Sequence, residues 1–554
     1  MSSASAPQQY DVAILGGGLA GLTLSLQLKR RFPELSILVL ERRAHPVPLA
    51  AHKVGESSVE IAAHYFDTVL GLKQHLMDEQ LKKFGFRFFF SDGRRDFDKV
   101  TELGASRMLP TGSYQIDRGI FENKLGQLAL EAGVRFIDQA MVREFSLNNT
   151  EAHRVVYETA GSMHEVQCRW LVDASGRAGL VKRKLGLAQP NEHNAGAVWF
   201  RISAHIDVND WSDDPEWLNR CNPPNRWLST NHLVGKGYWV WLIPLASGSH
   251  SIGIVVDNDV HPVDSINSFE KAMNWLETHQ PRLFDHLQTE RDKLQDFAFF
   301  RRFSYDCKQV YSGRQRWALT GEAGRFLDPF YSPGSDFIAT SNTFITELIA
   351  HDRNKGPVAM YAELYDQVFH TLYRTMMSLY LGQYDLFEDP EVMPHKVAWD
   401  YTYYWGIMCP LFYQNKLVDI GVMARLQKPL SQSQELNEHM QRFLRAWSRL
   451  SKKRNPAQML DQAGLEWFAE LNRGLKDVLD DAGFRQRMAE NFALLQRLAE
   501  ELFERAVSEH DALTRTEAGM ALQSFLESVK STAGSEPATV PGGTGSLLFS
   551  NAAY

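Results

Sequence analysis

Apolar residues first gather in a short continuous run, 11–15 (DVAIL), which ends in glycines and is followed over 19–28 by apolar positions at helical spacing. A second run, 36–40 (SILVL), reads as a buried strand ending in Glu41 and completes a βαβ unit. Beyond it a helical pattern at 75–82 and an alternating stretch at 84–90 precede a return to helical spacing at 120–132, as in a domain interrupted by an insertion. Strand-like runs at 198–205, 238–244 and 251–256, separated by Gly, Asn and Ser turns, predict a β-rich second domain. From residue 340 helical signals dominate through Leu526, and a Gly/Ser/Pro/Thr tail follows Lys530. The predicted fold is therefore α/β. A Rossmann-type domain spans 1–190, interrupted around 51–110, and resumes at 301–345. A β-rich domain covers 191–300, a helical region 346–530 and a disordered tail 531–554.

Composition agrees with packed domains: 44% of the 554 residues are hydrophobic and 23% charged. The net charge of -8 and the lack of a Lys/Arg cluster with interleaved aromatics argue against nucleic acid as a partner. Cys168, Cys221, Cys307 and Cys409 lie far apart and read as reduced, buried thiols. No leader-like N-terminus stands out, and no apolar stretch reaches the roughly 18 residues of a spanning helix, so the expected address is cytoplasmic, with no transmembrane segment. G-x-S-x-G, H-E-x-x-H and paired Cys/His patterns are absent, so neither a hydrolase nor a metal centre is predicted.

The chemistry begins at the glycines. Gly16, Gly18 and Gly21 form G-x-G-x-x-G at the strand-to-helix turn, with Leu19 and Ala20 inside it, and Glu41 and Arg42 close the next strand. Gly16 allows the tight turn, Gly18 leaves room for a pyrophosphate, Gly21 lets helix and strand pack, and Glu41 accepts from a ribose. The helix N-terminus offers free N–H groups to the phosphates. This motif serves FAD and NAD alike, and later segments decide between them. The segments 171–177 (LVDASGR), with Asp173, and 318–329 (ALTGEAGRFLDP), with Glu322 and Asp328, resemble the second and third FAD signatures of the para-hydroxybenzoate hydroxylase superfamily. That resemblance implies that the late acid approaches the ribityl or ribose region and that Arg118, in 116–121 (IDRGIF), lies near the flavin. Glu322 stands where that family usually has Asp.

Trp239, Trp241, Ile243 and Pro244 spell W-x-W-x-I-P in a predicted strand, with both tryptophans on one face. Val54, Gly55, Glu56 and Ser57 (VGES), Lys83 in 82–85 (KKFG) and 328–334 (DPFYSPG) accompany it. Together these resemble the flavin-dependent halogenases, and V-G-E-S their phenol and pyrrole branch. The resemblance implies an oxidoreductase that takes FAD as FADH2 from a separate flavin reductase and uses oxygen with chloride or bromide. A flavin hydroperoxide then yields hypohalous acid, which Lys83 guides to an electron-rich phenol or pyrrole, free or tethered to a carrier protein. It further implies that the W-x-W-x-I-P strand separates flavin from substrate, and that halide sits at Ser332, Pro333 and Gly334. Lys82 and Lys53 flank the same motifs, and placement selects Lys83. Tyr331 replaces the Glu of the tryptophan-specific branch, which disfavours free tryptophan as substrate. The competing readings are an aromatic hydroxylase of the same flavin chemistry and a flavin-binding protein without catalysis. An aromatic concentration (Trp399, Tyr401, Tyr403, Tyr404, Trp405, Phe412, Tyr413) around Asp400 reads either as helix core or as a pocket lining.

Overall fold

The computed structural model describes residues 7–50, 53–148, 151–532 and 545–549. They form two compact units that alternate along the chain: Met1–Gln80, Ile116–Glu192 and Phe303–Arg374 make the first, and Leu81–Gln115, His193–Arg302 and Thr375–Tyr554 the second.

The first unit is built on a sheet whose strands Trp317–Leu319, Ser162–Asp173, Gln8–Leu15, Ile37–Leu40 and Arg135–Ile137 run parallel in that spatial order. Val12 to Leu15 and Ile37 to Leu40 are each at most 2% exposed. Their apolar runs are continuous rather than alternating because both faces of a parallel sheet are covered. Register places Leu15 beside both Leu40 and Asp173, and Asp173 beside Leu319, so four carboxyl ends lie level. In open α/β sheets this edge is where ligands bind.

The second unit carries an eight-stranded sheet in the order Leu294–Phe300, Ala195–Ile202, His250–Asp257, Tyr238–Pro244, Thr230–Gly235, Phe86–Phe89, Glu102–Gly104 and Met459–Asp461. On the Tyr238–Pro244 strand, Tyr238, Val240 and Leu242 enter the core cluster with Ile252, Ile254 and Val256. Period-two alternation turns Trp239, Trp241 and Ile243 to the opposite face. The helices Met393–Tyr403, Ile420–Leu450 and Asp481–Glu509 belong to this unit, each with a line of buried apolar residues.

Several boundaries differ from the sequence expectation. The insertion begins at Leu81 rather than near 51, because residues before it pack in the first unit: Asp336 accepts from the Ala62 N–H at 2.8 Å, and the Tyr65 hydroxyl donates to Gln27 at 2.9 Å. The helix expected over 75–82 is Lys73–Glu79, since Leu81 and Lys82 pair with Gln115 and Tyr114 as a short ladder. The helical region is not a separate domain. Gly334–Arg353 lies in the first unit, while residues from 375 join the second, where Met459–Asp461 adds a parallel strand beside Glu102–Gly104. A three-residue strand carries no readable period. The tail expected to be disordered from 531 starts inside the helix Glu517–Thr532, and most of it lies outside the described residues. Its piece 545–549 packs instead: Leu547 is buried, and the Trp467 indole donates to its carbonyl at 3.1 Å. All four cysteines are buried thiols outside disulfides, and among the described residues no helix is long and apolar enough to cross a membrane.

Candidate functional site

The glycine turn has the geometry its residues require. Gly16 has φ +115°, and a Cβ there would meet the Ala174 carbonyl oxygen at 2.3 Å. A Cβ on Gly21 would lie 2.0 Å from the Gly16 oxygen, so helix Leu19–Arg31 and strand touch backbone to backbone. Gly18 caps the helix, and nothing lies within 4 Å of the Cβ it lacks. A methyl group there would fill only the space through which a phosphate meets the helix N-terminus. Glu41 accepts from the Gly17 N–H at 2.7 Å and the Arg43 N–H at 2.8 Å, which fixes it at the end of its strand, while Arg42 is exposed. Leu19 and Ala20 are buried in the first helical turn. The open cradle, the helix N-terminus and the placed acid together fit the adenosine diphosphate part of FAD.

Asp173 braces the turn of the second FAD-like segment. It is fully buried; one oxygen accepts from the Ser175 N–H at 3.0 Å and the other from the Val181 N–H at 2.7 Å. Burial pushes its pKa up, and these donors oppose the shift. Its carboxylate thus builds the turn after the strand. Glu322 sits in the next turn, and its carboxylate is held by the Arg177 guanidinium at 3.0 Å. Arg177 also donates to the Phe303 carbonyl at 2.7 Å. It lies in the LVDASGR segment but was given no role from sequence, and its spacing from Glu322 offered no signal.

Arg118 opens the helix Arg118–Glu131, donates to the Val54 carbonyl at 2.7 Å and pairs with Glu122. It is therefore a brace for the V-G-E-S loop. Gly55 there has φ +92°, the Glu56 carbonyl accepts from Ile116, and Ser57 is buried. Lys53, one of the flanking lysines, is an ion-pair partner of Glu122. Asp328 is buried and accepts from the Phe330 N–H at 2.9 Å, shaping the loop that follows. In that loop Ser332 takes φ +54°, and Pro333 caps the 20-residue helix Gly334–Arg353, with open space where Gly334 lacks a side chain. Tyr331 is buried against Phe330, ring centres 4.7 Å apart.

In the second unit the three candidate lysines separate further. Lys82 is exposed, whereas Lys83 is 3% exposed, with its ammonium 3.5 Å from the centre of the Phe86 ring, a cation–π distance. Its own N–H donates to the Ser113 carbonyl at 2.9 Å, and Phe84 bonds to Leu228, so the turn that carries Lys83 is tied on both sides. From Phe86 an aromatic layer crosses the sheet: His232 lies 5.3 Å from it, Trp239 5.4 Å from His232, and Trp241 5.6 Å from Trp239. The Trp239 indole donates to the Tyr384 hydroxyl at 3.2 Å, the Trp241 indole to Ser251 at 3.2 Å, and Trp241 lies flat against Gly253. Ile243 and Pro244 are buried at the strand end. His232 and Tyr384 were not foreseen. His232 is set by pairing with Trp241 across strands, and a sequence read one strand at a time does not contain that register.

Behind this strand Arg87, Glu102 and Arg226 form a completely buried triad, with Arg226 donating to Glu102 at 2.8 Å. Burial alone would raise the Glu102 pKa, but the two guanidiniums outweigh it and hold the carboxyl below its usual range. The aromatic concentration near 400 resolves into core: Trp399, Tyr401, Tyr403, Tyr404, Trp405 and Phe412 are buried, Tyr413 is half-buried, and Asp400 pairs with Lys396 at 2.6 Å. Among the described residues no group of His, Cys, Asp or Glu is placed to hold a metal ion.

Residues 9–250 match the FAD binding domain family. The chain is 24% identical over 437 residues to the flavin-dependent halogenase chlA of Dictyostelium discoideum, covering 73% of this chain and 70% of that protein. It is 27% identical over 366 residues to the 1H-pyrrole-2-carbonyl-[peptidyl-carrier protein] brominase of Pseudoalteromonas luteoviolacea, covering 64% and 81%. Among solved structures, halogenase PltM superposes with a TM-score of 0.62 at 16% identity, over 95% of this chain and 97% of that one. The flavin-dependent brominase Bmp2 gives 0.54 at 22% identity, over 69% and 89%.

Proposed function

From the premise that the chain belongs to the flavin-dependent halogenases and is an FAD-using oxidoreductase, we propose that it halogenates an electron-rich aromatic of the phenol or pyrrole type at Lys83. The observation that carries this reading is the buried ammonium of Lys83, set on one face of a sheet with Trp239 and Trp241 through Phe86 and His232. Reduced FAD with oxygen supplies the oxidising chemistry that turns chloride or bromide into an electrophile. Lys83 holds that electrophile as hypohalous acid. Its ammonium donates a hydrogen bond to the oxidant and draws electron density from the halogen, or its neutral amine captures the halogen as a haloamine. A fixed lysine confines a reactive species to one carbon, and positioning of this kind is worth several kcal/mol. The ring then loses its own proton, which a phenol or pyrrole does readily.

The remaining residues exclude and place. Trp239 and Trp241 form an apolar wall that keeps substrate from direct oxygen transfer. Gly18 and Glu41 hold the dinucleotide, Arg177 fixes Glu322 beside it, and Arg118 braces the V-G-E-S loop. Halide binds at the helix start formed by Ser332, Pro333 and Gly334, where backbone N–H groups favour an anion. A separate reductase supplies FADH2. The substrate is free or carrier-bound, and the brominase relative, whose name specifies a carrier-bound pyrrole, supports including both. Four buried thiols outside disulfides are in keeping with the cytoplasm as the site of action.

The test is mass spectrometry of products from the full chain given FAD, a flavin reductase, NADH, oxygen, bromide or chloride, and a panel of phenols and free or carrier-bound pyrroles. Halogen isotope patterns are expected, falling at least about 100-fold in Lys83→Ala while FAD binding stays unchanged. Gain of a single oxygen, indifferent to halide and to Lys83, would move the protein to the aromatic hydroxylases. FAD binding without turnover on any substrate would leave a non-catalytic flavoprotein.

A further inference from the structure

We infer that Asn342 is a positioning residue for FAD: its amide locks the first helical turn of the glycine motif to the strand end that enters the Glu322 turn, so that the two segments present one preset cradle. Asn342 lies near the middle of the helix Gly334–Arg353 and is completely buried. Asparagine is a poor residue for a helix interior, and a buried amide is costly unless its hydrogen bonds are made. Here they are made, and each has a definite sense. The Thr320 hydroxyl donates to Asn342 Oδ1 at 2.7 Å, and Asn342 Nδ2 faces the Ala20 carbonyl, the Thr23 hydroxyl and the Tyr65 hydroxyl, each at 3.1 Å. Thr23 gives its own proton to the Leu19 carbonyl at 2.6 Å, and Tyr65 gives its own to Gln27 at 2.9 Å, so both hydroxyls accept from the amide. The Ala20 carbonyl has no other option.

These partners belong to the two segments that shape the cofactor site. Ala20 stands inside G-x-G-x-x-G, next to Gly21, and Thr320 precedes the turn of Glu322, where its N–H donates to the Asp173 carbonyl at 3.0 Å. Ser341, beside Asn342, donates to the Leu319 carbonyl at 3.1 Å, so consecutive helix residues grip consecutive strand residues. The segments touch where these bonds hold them: Gly321 has φ +59°, and a Cβ on it would lie 3.0 Å from the Ala20 Cβ. A buried polar network with every member satisfied specifies one arrangement. Without the Asn342 amide, helix and strand still form, but their relative setting has to be fixed at the moment of binding, and the cofactor then bears the cost of ordering them. The inference rests on the placement of FAD at the glycine turn and is independent of halogenation at Lys83.

Full-length variants are compared by thermal melts without cofactor and by FAD titration followed through flavin fluorescence. Thr320→Val removes one hydroxyl at constant shape, and Asn342→Leu removes the whole hub at nearly constant volume. The control is Trp170→Phe, which gives up a buried indole bond of 2.9 Å to Asp352, at the far end of the same helix. All three should lower the melting temperature. FAD affinity should fall about threefold to tenfold in Thr320→Val and at least about tenfold in Asn342→Leu, and stay within about twofold of the parent in Trp170→Phe. Bonds that served packing alone would lower the melts and leave the flavin affinity in place. The inference is overturned if Thr320→Val and Asn342→Leu bind FAD like the parent, or if Trp170→Phe weakens it as much as Thr320→Val does. Should Asn342→Leu fail to fold, Thr320→Val decides. Gly18→Ala, titrated alongside, separates the two levels: lost affinity there with none lost in Thr320→Val sinks the role of Asn342 alone, whereas parental affinity in Gly18→Ala sinks the placement of FAD and the inference with it.

Discussion

Alanine at Gly18 and alanine at Gly21 should separate cofactor binding from folding within a single turn. At Gly21 the new methyl would lie 2.0 Å from the Gly16 carbonyl oxygen, more than an ångström inside ordinary contact, with backbone on both sides and nowhere to move. Overpacking that a core relieves by small shifts costs about 1–3 kcal/mol, so this one belongs at or above the top of that range. At Gly18 the backbone has φ -85° and ψ -168°, which any residue adopts, and no atom lies within 4 Å of the methyl. Stability without cofactor should change by less than about 0.5 kcal/mol. The same methyl occupies the approach of the pyrophosphate to the helix N-terminus. Losing one or two charge-assisted hydrogen bonds, at about 1.5–3 kcal/mol each, weakens FAD at least about tenfold. Thermal melts of cofactor-free protein and FAD titration by flavin fluorescence measure the two quantities separately. Wild-type FAD affinity in Gly18→Ala, or a melting loss in it equal to that of Gly21→Ala, would refute the reasoning.

Glu102→Gln leaves Arg87 and Arg226 without their buried counter-charge and should cost about 3–5 kcal/mol in denaturant titrations at neutral pH. Because the folded Glu102 pKa is depressed, its contribution is fully present above the unfolded value of about 4.3 and is lost as pH falls through the folded one. The stability gap between wild type and Glu102→Gln should therefore narrow only in acid, and a gap independent of pH there would contradict the triad. Gly253→Ala drives a methyl to 2.1 Å from the Trp241 ring and should destabilise by about 2–3 kcal/mol, whereas Trp239→Phe, which keeps a ring but gives up the bond to Tyr384, should lose about 0.5–1.5 kcal/mol. Chemical denaturation ranks the pair, and the reverse order would show that the indole bond, not the ring-on-glycine contact, sets the wall.

What the sequence by itself determined is local. The turn at Gly16, Gly18 and Gly21 was readable because backbone sterics act over six residues, and the strands at 238–244 and 251–256 because short apolar runs set off by Gly, Asn and Ser turns read as buried strands. The resemblance to the flavin-dependent halogenases singles out Lys83 over Lys82 by its distance beyond V-G-E-S, and burial separates the same two side chains. Tertiary structure decided everything that depends on register between distant segments. It turned Asp173 inward to build its own turn and made Arg177 the partner of Glu322, a residue 145 positions away. It also laid His232 and Tyr384 against Trp239, and drew residues 459–461 into a sheet with residues 102–104. None of these pairings leaves a trace along the chain, because a hydrogen bond or ring contact constrains two side chains only through the fold that brings them together, and many residue pairs would satisfy it equally well.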